Sequence, residues 1–385
     1  MRILHVVPGL DEVGNGISVA AKLIANEQGA DLVEARRFAS GKCDASQYDE
    51  VWVHSAWSPM VLRSCRRVLK LGKRLVRMAH ANYDPVRLRY HGWKKRIVAP
   101  VDRYYLRKAV KVIATCEAEK GWIESYLGRH CPPIEITDIK RFFKLHGEVS
   151  TQSRRVAEYA ESDVRLPSAD GGLGQRPRDN SASSRLSALA SLGSGASPRV
   201  APTLKARLRA KNNEQDEPLH LLYLGRRHPL KGVEYLEAAV RQIEKNSAYS
   251  ASSRLCVKYI SSAFGDELEK VWDWCDVLVL PTLSENFGLV IAEALERGKR
   301  VITTDGAPAW GDNLSRAAGR SWSSELELES GSLNSPVEHE DDGEILFGYD
   351  GRLIYLKGYR DGSDEQRVEL LKSAIGKLCR AGHKG

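Results

Sequence analysis

Residues 277–305, VLVLPTLSENFGLVIAEALERGKRVITTD, carry a complete pattern of strand, turn, helix and strand. The apolar run at 277–280 predicts a buried strand that ends at Pro281, and the periodic apolar residues of 287–297 predict a helix. A second apolar run at 300–303 predicts the next strand. Strands that alternate with helices are typical of parallel sheets, so this stretch favours an α/β fold.

The same alternation extends outward through the rest of the chain. The N-terminus opens with a strand at 3–7, a glycine turn and a helix at 17–26. Further strands are predicted at 51–53, 75–78, 112–115, 134–137, 219–224 and 254–260, with further helices at 233–244, 266–274 and 365–379. Because single cores stop growing at roughly 250–300 residues, a chain of 385 residues is expected to form two α/β domains.

A compositional change separates the two halves. Ser, Arg, Gly, Ala and Pro dominate residues 148–217, which cannot bury enough apolar surface to offset their ordering entropy. We therefore predict a flexible linker or insertion there, between an N-terminal domain at 1–147 and a C-terminal domain at 218–364. The last residues, 365–385, are expected to form a helix that packs back toward the N-terminal domain.

The bulk composition restricts the classes of partner and site. A net charge of +8 indicates an anionic partner, such as a nucleotide, a phospholipid surface, a phosphorylated glycan or nucleic acid. Seven scattered cysteines without a C-x-x-C pair indicate neither a disulfide framework nor a zinc site. No apolar run approaches membrane-spanning length and no signal peptide is recognised, so we expect a cytoplasmic location.

Two carboxylates flank the helix predicted at 287–297. Glu285 lies in the loop before this helix and Glu293 lies two turns inside it, so both can reach a hydroxyl-rich anion bound at the helix N-terminus. A structural explanation is also available, because Glu293 and Arg297 are spaced for an i,i+4 ion pair. The pattern alone leaves these two readings about equal.

The segment SENFGLVIAEALERGKRVITT resembles the E-x7-E signature of the retaining GT-B glycosyltransferases of family 4. The resemblance implies that Glu285 contacts the transferred sugar and that Glu293 binds the ribose. It also implies donor contacts from the loop and helix start, at Asn286, Phe287, Gly288 and Leu289. The expected fold is then GT-B, in which two Rossmann-like domains with parallel sheets face a central cleft.

Three further segments are similar to parts of this family. LYLGRRHPLKGVEYL supplies a basic pair, Arg226 and Lys231, and two cations can stabilise the charge that develops on a departing diphosphate. Gly14 and Gly16 match a glycine turn that lets the backbone approach the donor phosphates. His80, after a strand, matches a histidine near the transferred sugar, although a lone histidine at a strand end is more often structural.

A basic and aromatic segment follows His80. Its composition suits an anionic acceptor or a lipid headgroup surface, whereas the simpler reading is a solvated basic helix. The residues assigned to this surface are Arg87, Arg89, Trp93, Lys94, Lys95 and Arg96.

The resemblance implies retaining transfer of a sugar from a nucleoside-diphosphate sugar to a glycan or glycolipid, in bacterial-type cell-envelope polysaccharide or lipopolysaccharide synthesis. A UDP-sugar is favoured over a GDP-sugar as the co-substrate, and neither a cofactor nor a metal is implied. Peripheral attachment to the inner face of a membrane is an accompanying expectation. The alternatives are a nucleotide-sugar epimerase or a silent sugar-nucleotide binder. Nucleic-acid binding is not expected, because no recognised motif supports it.

Overall fold

A computed structural model describes residues 1–10, 16–90, 92–143, 218–245, 255–317, 345–349 and 351–381. We refer to residues 1–143 as the N-terminal unit and to residues 218–381 as the C-terminal unit. Gly14 of the glycine turn and the linker predicted at 148–217 lie outside the described residues.

The N-terminal unit is built on a parallel sheet of six strands in the order β2-β1-β3-β4-β5-β6. Its strands are β1 (Ile3–Val7), β2 (Asp31–Glu34), β3 (Glu50–His54), β4 (Arg74–Met78), β5 (Lys111–Ala114) and β6 (Ile134–Ile136). Its helices are α1 (Gly16–Gln28), α2 (Ala35–Ala39), α3 (Pro59–Lys70), α4 (Pro85–Arg89), α5 (Gly92–Lys108) and α6 (Glu117–Leu127), followed by a 3-10 turn at Ile139–Phe142.

The C-terminal unit contains a second sheet of six strands, in the order β11-β12-β10-β9-β7-β8. Its strands are β7 (Leu219–Leu224), β8 (Leu255–Ile260), β9 (Val277–Leu280), β10 (Arg300–Thr304), β11 (Ile345–Gly348) and β12 (Leu353–Leu356). Only β11 is antiparallel to its neighbour. Its helices in the described residues are α7 (Val233–Lys245), α8 (Gly265–Trp274), α9 (Leu289–Glu296), α10 (Pro308–Ala317) and α11 (Asp364–Ala381), and a 3-10 turn spans Pro229–Lys231.

The prediction of an α/β fold with two sheets is confirmed. Strands such as β3 and β9 are buried along their whole length, as expected for strands covered on both faces. Helix α3 shows the complementary pattern, burying Val61, Cys65 and Val68 on one face.

One helix begins later than its apolar periodicity suggests. The helix predicted at 287–297 starts at Leu289, because the preceding Gly288 has a left-handed φ of 69° that ends the loop in a sharp turn. A side chain at position 288 would be strained in this conformation, and its Cβ would lie 3.0 Å from Ile291 Cδ1. Glycine is therefore required where this loop meets the helix.

The two units share a continuous apolar cluster. Phe143, at the end of the described N-terminal unit, stacks on Phe287 with ring centroids 5.9 Å apart, and Phe287 in turn contacts Trp310. The C-terminal helix α11 packs along α7 and β12 of its own unit. Just before it, Arg360 forms an ion pair with Asp84 of the N-terminal unit.

Candidate active site

Loops from both sheets meet in one cleft between the units. In parallel α/β sheets, ligands bind beyond the carboxyl ends of the strands. Thr115, which follows β5, donates its hydroxyl to Asn286, which follows β9, at 3.0 Å. His80 lies beyond β4 and its Nδ1 is 3.1 Å from the same Asn286 side chain. Two residues that the sequence assigns to the donor and the sugar, Asn286 and His80, therefore come together here.

Lys231 and Glu285 form an ion pair in this cleft. Burial alone would raise the pKa of Glu285, but the charges of Lys231 and Arg87 outweigh it and hold that pKa below its usual value. The Asn286 amide also donates to Glu285 Oε1 at 3.1 Å. Glu285 is thus held as a carboxylate, and the ammonium group of Lys231 lies beside it.

The backbone around this pair is fixed by close approach of two loops. Gly232 has a left-handed φ of 60°, and a Cβ there would lie 2.1 Å from the carbonyl oxygen of Pro281. Any residue with a Cβ would clash with this carbonyl oxygen, so only glycine fits. The glycine after Lys231 therefore allows the loop following β7 to pack on the loop following β9, which carries Glu285.

Free backbone donors lie at the start of α9. Within the described residues, the amides of Phe287, Gly288 and Leu289 donate no hydrogen bond, as expected for a helix N-terminus. The side chain of Phe287 is buried in the core, so only its backbone is offered to the cleft. Gly16 of the N-terminal unit faces this end, since a Cβ on it would lie 3.8 Å from Leu289 Cδ1.

Glu293 is partly buried and its carboxylate forms no ion pair within the described residues. Arg297, its expected i,i+4 partner, instead pairs with Glu269 at 2.8 Å and reaches only the backbone oxygen of Glu293. Burial raises the pKa of Glu293, and the charge of Arg297 only partly opposes this. The ion-pair explanation of Glu293 is therefore not realised in the structure.

The two arginines after β7 differ in their surroundings. Arg227 pairs with Glu237 and stacks over the Tyr259 ring. The exposed Arg226 side chain makes no hydrogen bond or ion pair with the part of the chain that the structure describes. Arg226 is therefore the cation that remains available beside Lys231.

His80 is buried in a strained loop. His80 and Ala81 have left-handed φ values of 55° and 57°, which cost non-glycine residues energy. The buried carboxyl group of Glu119 supports the loop by accepting from the Ala81 amide at 2.5 Å and the Thr115 amide at 2.8 Å. Burial and the charge of Arg87 lower the pKa of His80 to about 3, so His80 is neutral.

Comparison with known families identifies the family to which this chain belongs. Residues 13–141 match the model of glycosyltransferase family 4, and residues 218–314 match the model of group 1 glycosyl transferases. Together the two matches span more than half of the chain and contain all the cleft residues described above. The chain is a family 4, group 1 glycosyltransferase. Its two α/β units, each built on a six-stranded sheet, have the GT-B fold.

The glycosyltransferase also resembles individual proteins. It is 29% identical over 119 residues to an uncharacterized glycosyltransferase of Methanocaldococcus jannaschii, a match that covers 26% of this chain and 30% of that relative. Anabaena HepE in complex with UDP is 13% identical, with 98% of this chain and 90% of that chain covered and a TM-score of 0.47. Sucrose-phosphate synthase from Thermosynechococcus elongatus is 13% identical over 79% of this chain and 81% of that chain, with a TM-score of 0.45.

The structure divides the basic surface predicted for the glycosyltransferase into two groups. Arg87 does not lie on an outer surface, because its guanidinium donates across the cleft to Ser284 Oγ at 2.8 Å. Lys95 is half-buried and donates to the backbone oxygen of Arg87. These two residues therefore lie at the cleft, and their assignment to an acceptor or membrane surface stays a prediction. The remaining members, Arg89, Trp93, Lys94 and Arg96, are exposed on α4 and α5.

Helix α5 carries an exposed apolar stripe. Trp93 is 65% exposed and Ile97 is 70% exposed, and Val101 and Tyr104 continue the same face one and two turns later. Lys94 lies over the Trp93 ring at 5.5 Å and Lys108 over the Tyr104 ring at 5.9 Å. The stripe is thus apolar and flanked by cations.

Sequence reasoning missed several residues of the glycosyltransferase cleft. Asp84 caps α4 and binds Ser284 and Arg360 of the other unit. His5 and His54 lie in buried strands behind His80. A histidine inside an otherwise apolar strand is an available signal, but its partners become clear only when neighbouring strands are known.

Membrane-spanning helices and metal-binding clusters are both absent from the described residues. No described helix is both long enough and apolar enough to cross a membrane. The described residues also contain no group of three or more His, Cys, Asp or Glu side chains placed to hold a metal ion.

Proposed function

We propose that this glycosyltransferase moves a sugar from a nucleoside-diphosphate sugar to a glycan or glycolipid hydroxyl, with retention of configuration at the anomeric carbon. The observation that carries the proposal is the pairing of Lys231 with Glu285 beside the free amides of α9. This arrangement offers a cation and backbone donors to a diphosphate, and a carboxylate to the hydroxyls of a sugar.

The proposed step breaks the bond between the anomeric carbon and the diphosphate oxygen. The electron pair of that bond goes to the diphosphate, where Lys231, Arg226 and the dipole of α9 stabilise the added charge. The acceptor oxygen bonds to the same face of the anomeric carbon, and its proton passes to the departing diphosphate oxygen. Retention follows from attack on the face that the leaving group vacates.

Other cleft residues bind the donor in this proposal. Glu293 accepts from the ribose hydroxyls, which supply the partners that its carboxylate lacks among the described residues. Asn286 and His80 contact the transferred sugar, and Gly16 allows close approach to the phosphates. Binding of the diphosphate requires Lys231 to exchange Glu285 for a phosphate, so Glu285 becomes free to orient the sugar.

The donor and the metal requirement are parts of the same proposal. We propose a UDP-sugar as the donor. We also propose that no metal ion is needed, because Lys231 and Arg226 can supply the positive charge that stabilises a departing diphosphate. Addition of EDTA should then leave turnover unchanged, and a loss of turnover that Mg²⁺ or Mn²⁺ restores would refute metal independence.

The acceptor is proposed to lie at an anionic membrane surface. The stripe of α5 presents aromatic and aliphatic side chains between cations, which suits insertion among acidic lipid headgroups. A lipid-linked glycan at the inner face of the membrane would then reach the cleft. Synthesis of cell-envelope polysaccharide or lipopolysaccharide is the process proposed for such an acceptor.

The test measures release of free nucleoside diphosphate from UDP-, GDP- and ADP-sugars, with and without membrane glycan extract. We expect extract-dependent release from a UDP-sugar by the native protein and its loss in Glu285→Gln. Glu244→Gln is the matched control, because Glu244 is exposed in the last turn of α7, at the opposite end of that helix from Lys231. Anomeric analysis of the product by NMR tests retention.

Two other outcomes would indicate a different function. Conversion of the donor sugar into an epimer without transfer would indicate a nucleotide-sugar epimerase. Tight donor binding without turnover, in the presence of extract, would indicate a silent binder. Either outcome would overturn the proposed transfer.

A further inference from the structure

Three histidines of the N-terminal unit form a buried row behind the cleft. His5 lies in β1, His54 ends β3, and His80 follows β4. His5 Nδ1 is 2.8 Å from His54 Nε2, and His54 Nδ1 is 2.8 Å from His80 Nε2. All three side chains are buried. The proposed sugar transfer uses His80 and gives His5 and His54 no role.

The row continues at both ends through other side chains. His5 Nε2 is 2.9 Å from Oε1 of Gln28, which lies at the surface. At the cleft, His80 Nδ1 is 3.1 Å from Asn286 Nδ2, and Asn286 Oδ1 accepts from the Thr115 hydroxyl at 3.0 Å. The Thr115 hydroxyl is in turn 2.7 Å from Glu119 Oε2. Seven side chains from both units are therefore hydrogen-bonded in sequence.

The hydrogen atoms of the three rings must all point in the same direction. A neutral imidazole has one N–H, so each ring donates on one side and accepts on the other. Gln28 presents its oxygen to His5, which requires the proton of His5 to be on Nε2. His54 then donates from Nε2 to His5, and His80 donates from Nε2 to His54.

The contacts at the cleft end of the row independently give the same direction of hydrogen donation. If His80 carries its proton on Nε2, then its Nδ1 is an acceptor and needs a donor. Asn286 presents its amide nitrogen to that atom. The amide groups of Gln28 and Asn286, at the two ends of the histidine row, therefore specify one and the same tautomer for all three rings.

The same reasoning assigns a proton to Glu119. Thr115 has one hydroxyl hydrogen, which it donates to Asn286 Oδ1. The same hydroxyl oxygen lies 2.7 Å from Glu119 Oε2, and one hydrogen cannot serve both oxygens, so we assign the hydrogen of this second contact to Glu119. Burial raises the pKa of Glu119, although the amides of Ala81 and Thr115, the Thr115 hydroxyl and the charge of Arg87 oppose the shift. This direction agrees with a protonated carboxyl group.

We propose that the closed cleft contains a one-way hydrogen-bond chain from a protonated Glu119 to Gln28, and that Glu119, His54 and His5 are positioning residues that hold His80 as its neutral Nε2–H tautomer. His80 Nδ1 is thereby kept as an acceptor that faces Asn286 and the cleft. Only the contact between His80 and the transferred sugar rests on the proposed function. The chain and the tautomer stand independently of catalysis.

The direct test is NMR of the full-length protein at pH 7, labelled with 15N-histidine and 13C-glutamate. We expect the Nε2–H pattern for His5, His54 and His80, and the carboxyl resonance of a protonated acid for Glu119. An Nδ1–H pattern for His54 or His80, or an ionised Glu119, would overturn the proposal.

Two substitutions of His54 test its action through His80. His54→Phe removes the acceptor for His80 Nε2, so His80 should show a mixture of tautomers. His54→Asn provides Oδ1 near the position of Nδ1 and should keep the single tautomer. Ser284→Ala, which removes a contact across the cleft outside the chain, should leave the tautomers unchanged. A single Nε2–H tautomer of His80 in His54→Phe would refute the role of His54.

A variant at the cleft provides a second test that does not depend on correct folding of His54→Phe. Asn286→Ala cuts the chain between Thr115 and His80 without altering a buried strand. The Thr115 hydroxyl should then turn to Glu119 and favour its ionised form, which the 13C resonance reports at pH 7. A Glu119 resonance unchanged by Asn286→Ala would contradict the chain.

Kinetics distinguish failure of this inference from failure of the proposed function. Once transfer is measured, His54→Phe should lower kcat by about tenfold or more with little change in KM, because it removes the hydrogen-bond partner that orients His80. His54→Asn should recover part of the lost kcat. Equal kcat in the native protein and His54→Phe would refute positioning. Absence of transfer in every variant would refute the proposed function and leave the NMR result to decide the chain.

Discussion

Arg226 and Arg227 are adjacent in sequence but have different surroundings. Arg227 is engaged by Glu237, whereas Arg226 is exposed beside the turn that carries Lys231. If Arg226 stabilises the departing diphosphate, Arg226→Ala should lower kcat by about 10²–10³-fold, the usual cost of removing one such charge-stabilising donor. Steady-state release of nucleoside diphosphate measures the change.

Arg227→Ala serves as the matched control, because it removes the same charge one residue away. It should change kcat by less than about threefold, since Arg227 is exposed and engaged by Glu237 rather than offered to the diphosphate. The assignment would be reversed if Arg227→Ala lost activity and Arg226→Ala kept it.

At the scale of single elements, helix α5 has a face that the fold leaves uncovered. Burial of a Trp or Ile side chain contributes about 1.5–3 kcal/mol, so loss of both anchors should weaken membrane binding at least tenfold. We therefore expect Trp93→Ser with Ile97→Ser to weaken binding to vesicles that contain phosphatidylglycerol. Cosedimentation measures the affinity.

Leu71→Ser is the control for this helix, because Leu71 is an exposed apolar residue outside α5. It should leave vesicle binding unchanged. Added salt should also weaken binding of the native protein, since the flanking cations attract the acidic headgroups. Equal binding to neutral phosphatidylcholine vesicles would contradict the proposed surface.

A buried ion pair joins β4 to α5 beneath this surface. The Arg77 guanidinium lies 3.4 Å from Asp102, and both side chains are fully buried. Asp102 also accepts from the Tyr83 hydroxyl at 2.7 Å. Asp102→Ala should lower the free energy of unfolding by about 3–5 kcal/mol, because the charge of Arg77 would remain buried without its partner.

The exposed pair of Lys111 and Glu135 provides the comparison, with atoms 2.8 Å apart. Glu135→Ala should change the free energy of unfolding by less than about 1 kcal/mol, because water screens this pair. Urea denaturation measures both variants. Similar losses in the two would show that burial does not govern the contribution of the Arg77 pair.

At the scale of the whole molecule, buried histidines make stability depend on pH. Burial lowers the pKa of His5 to about 4, with the hydrogen bond to Gln28 opposing it, whereas an unfolded histidine titrates near 6.5. The unfolded chain therefore binds a proton that the folded chain excludes. The contribution of His5 is fully present above pH 6.5 and is lost as the pH falls toward 4, at about 1.4 kcal/mol per pH unit.

Replacement of His5 isolates this contribution from those of other groups. In His5→Gln, the decline of the unfolding free energy between pH 6.5 and 4 should be shallower than in the native protein by about 1.4 kcal/mol per pH unit. His130→Ala, at an exposed position, should not alter the decline. Identical pH profiles for the native protein and His5→Gln would refute the shifted titration.

The sequence by itself determined the alternation of strands and helices and the segments that carry the chemistry. Both depend on neighbours in the chain: apolar periodicity reports which face of an element is covered, and the spacing of Glu285 and Glu293 is a local property of one loop and helix. The start of α9 was misplaced by two residues, because periodicity does not reveal the left-handed turn at Gly288.

Only the tertiary structure decided which side chains work together. His5, His54 and His80 are separated by dozens of residues and meet because β1, β3 and β4 are neighbours in the sheet. Likewise, Arg87 looked like a surface cation until the second unit brought Ser284 against it. Contacts of this kind depend on strand order and on the docking of two units, neither of which local sequence spacing encodes.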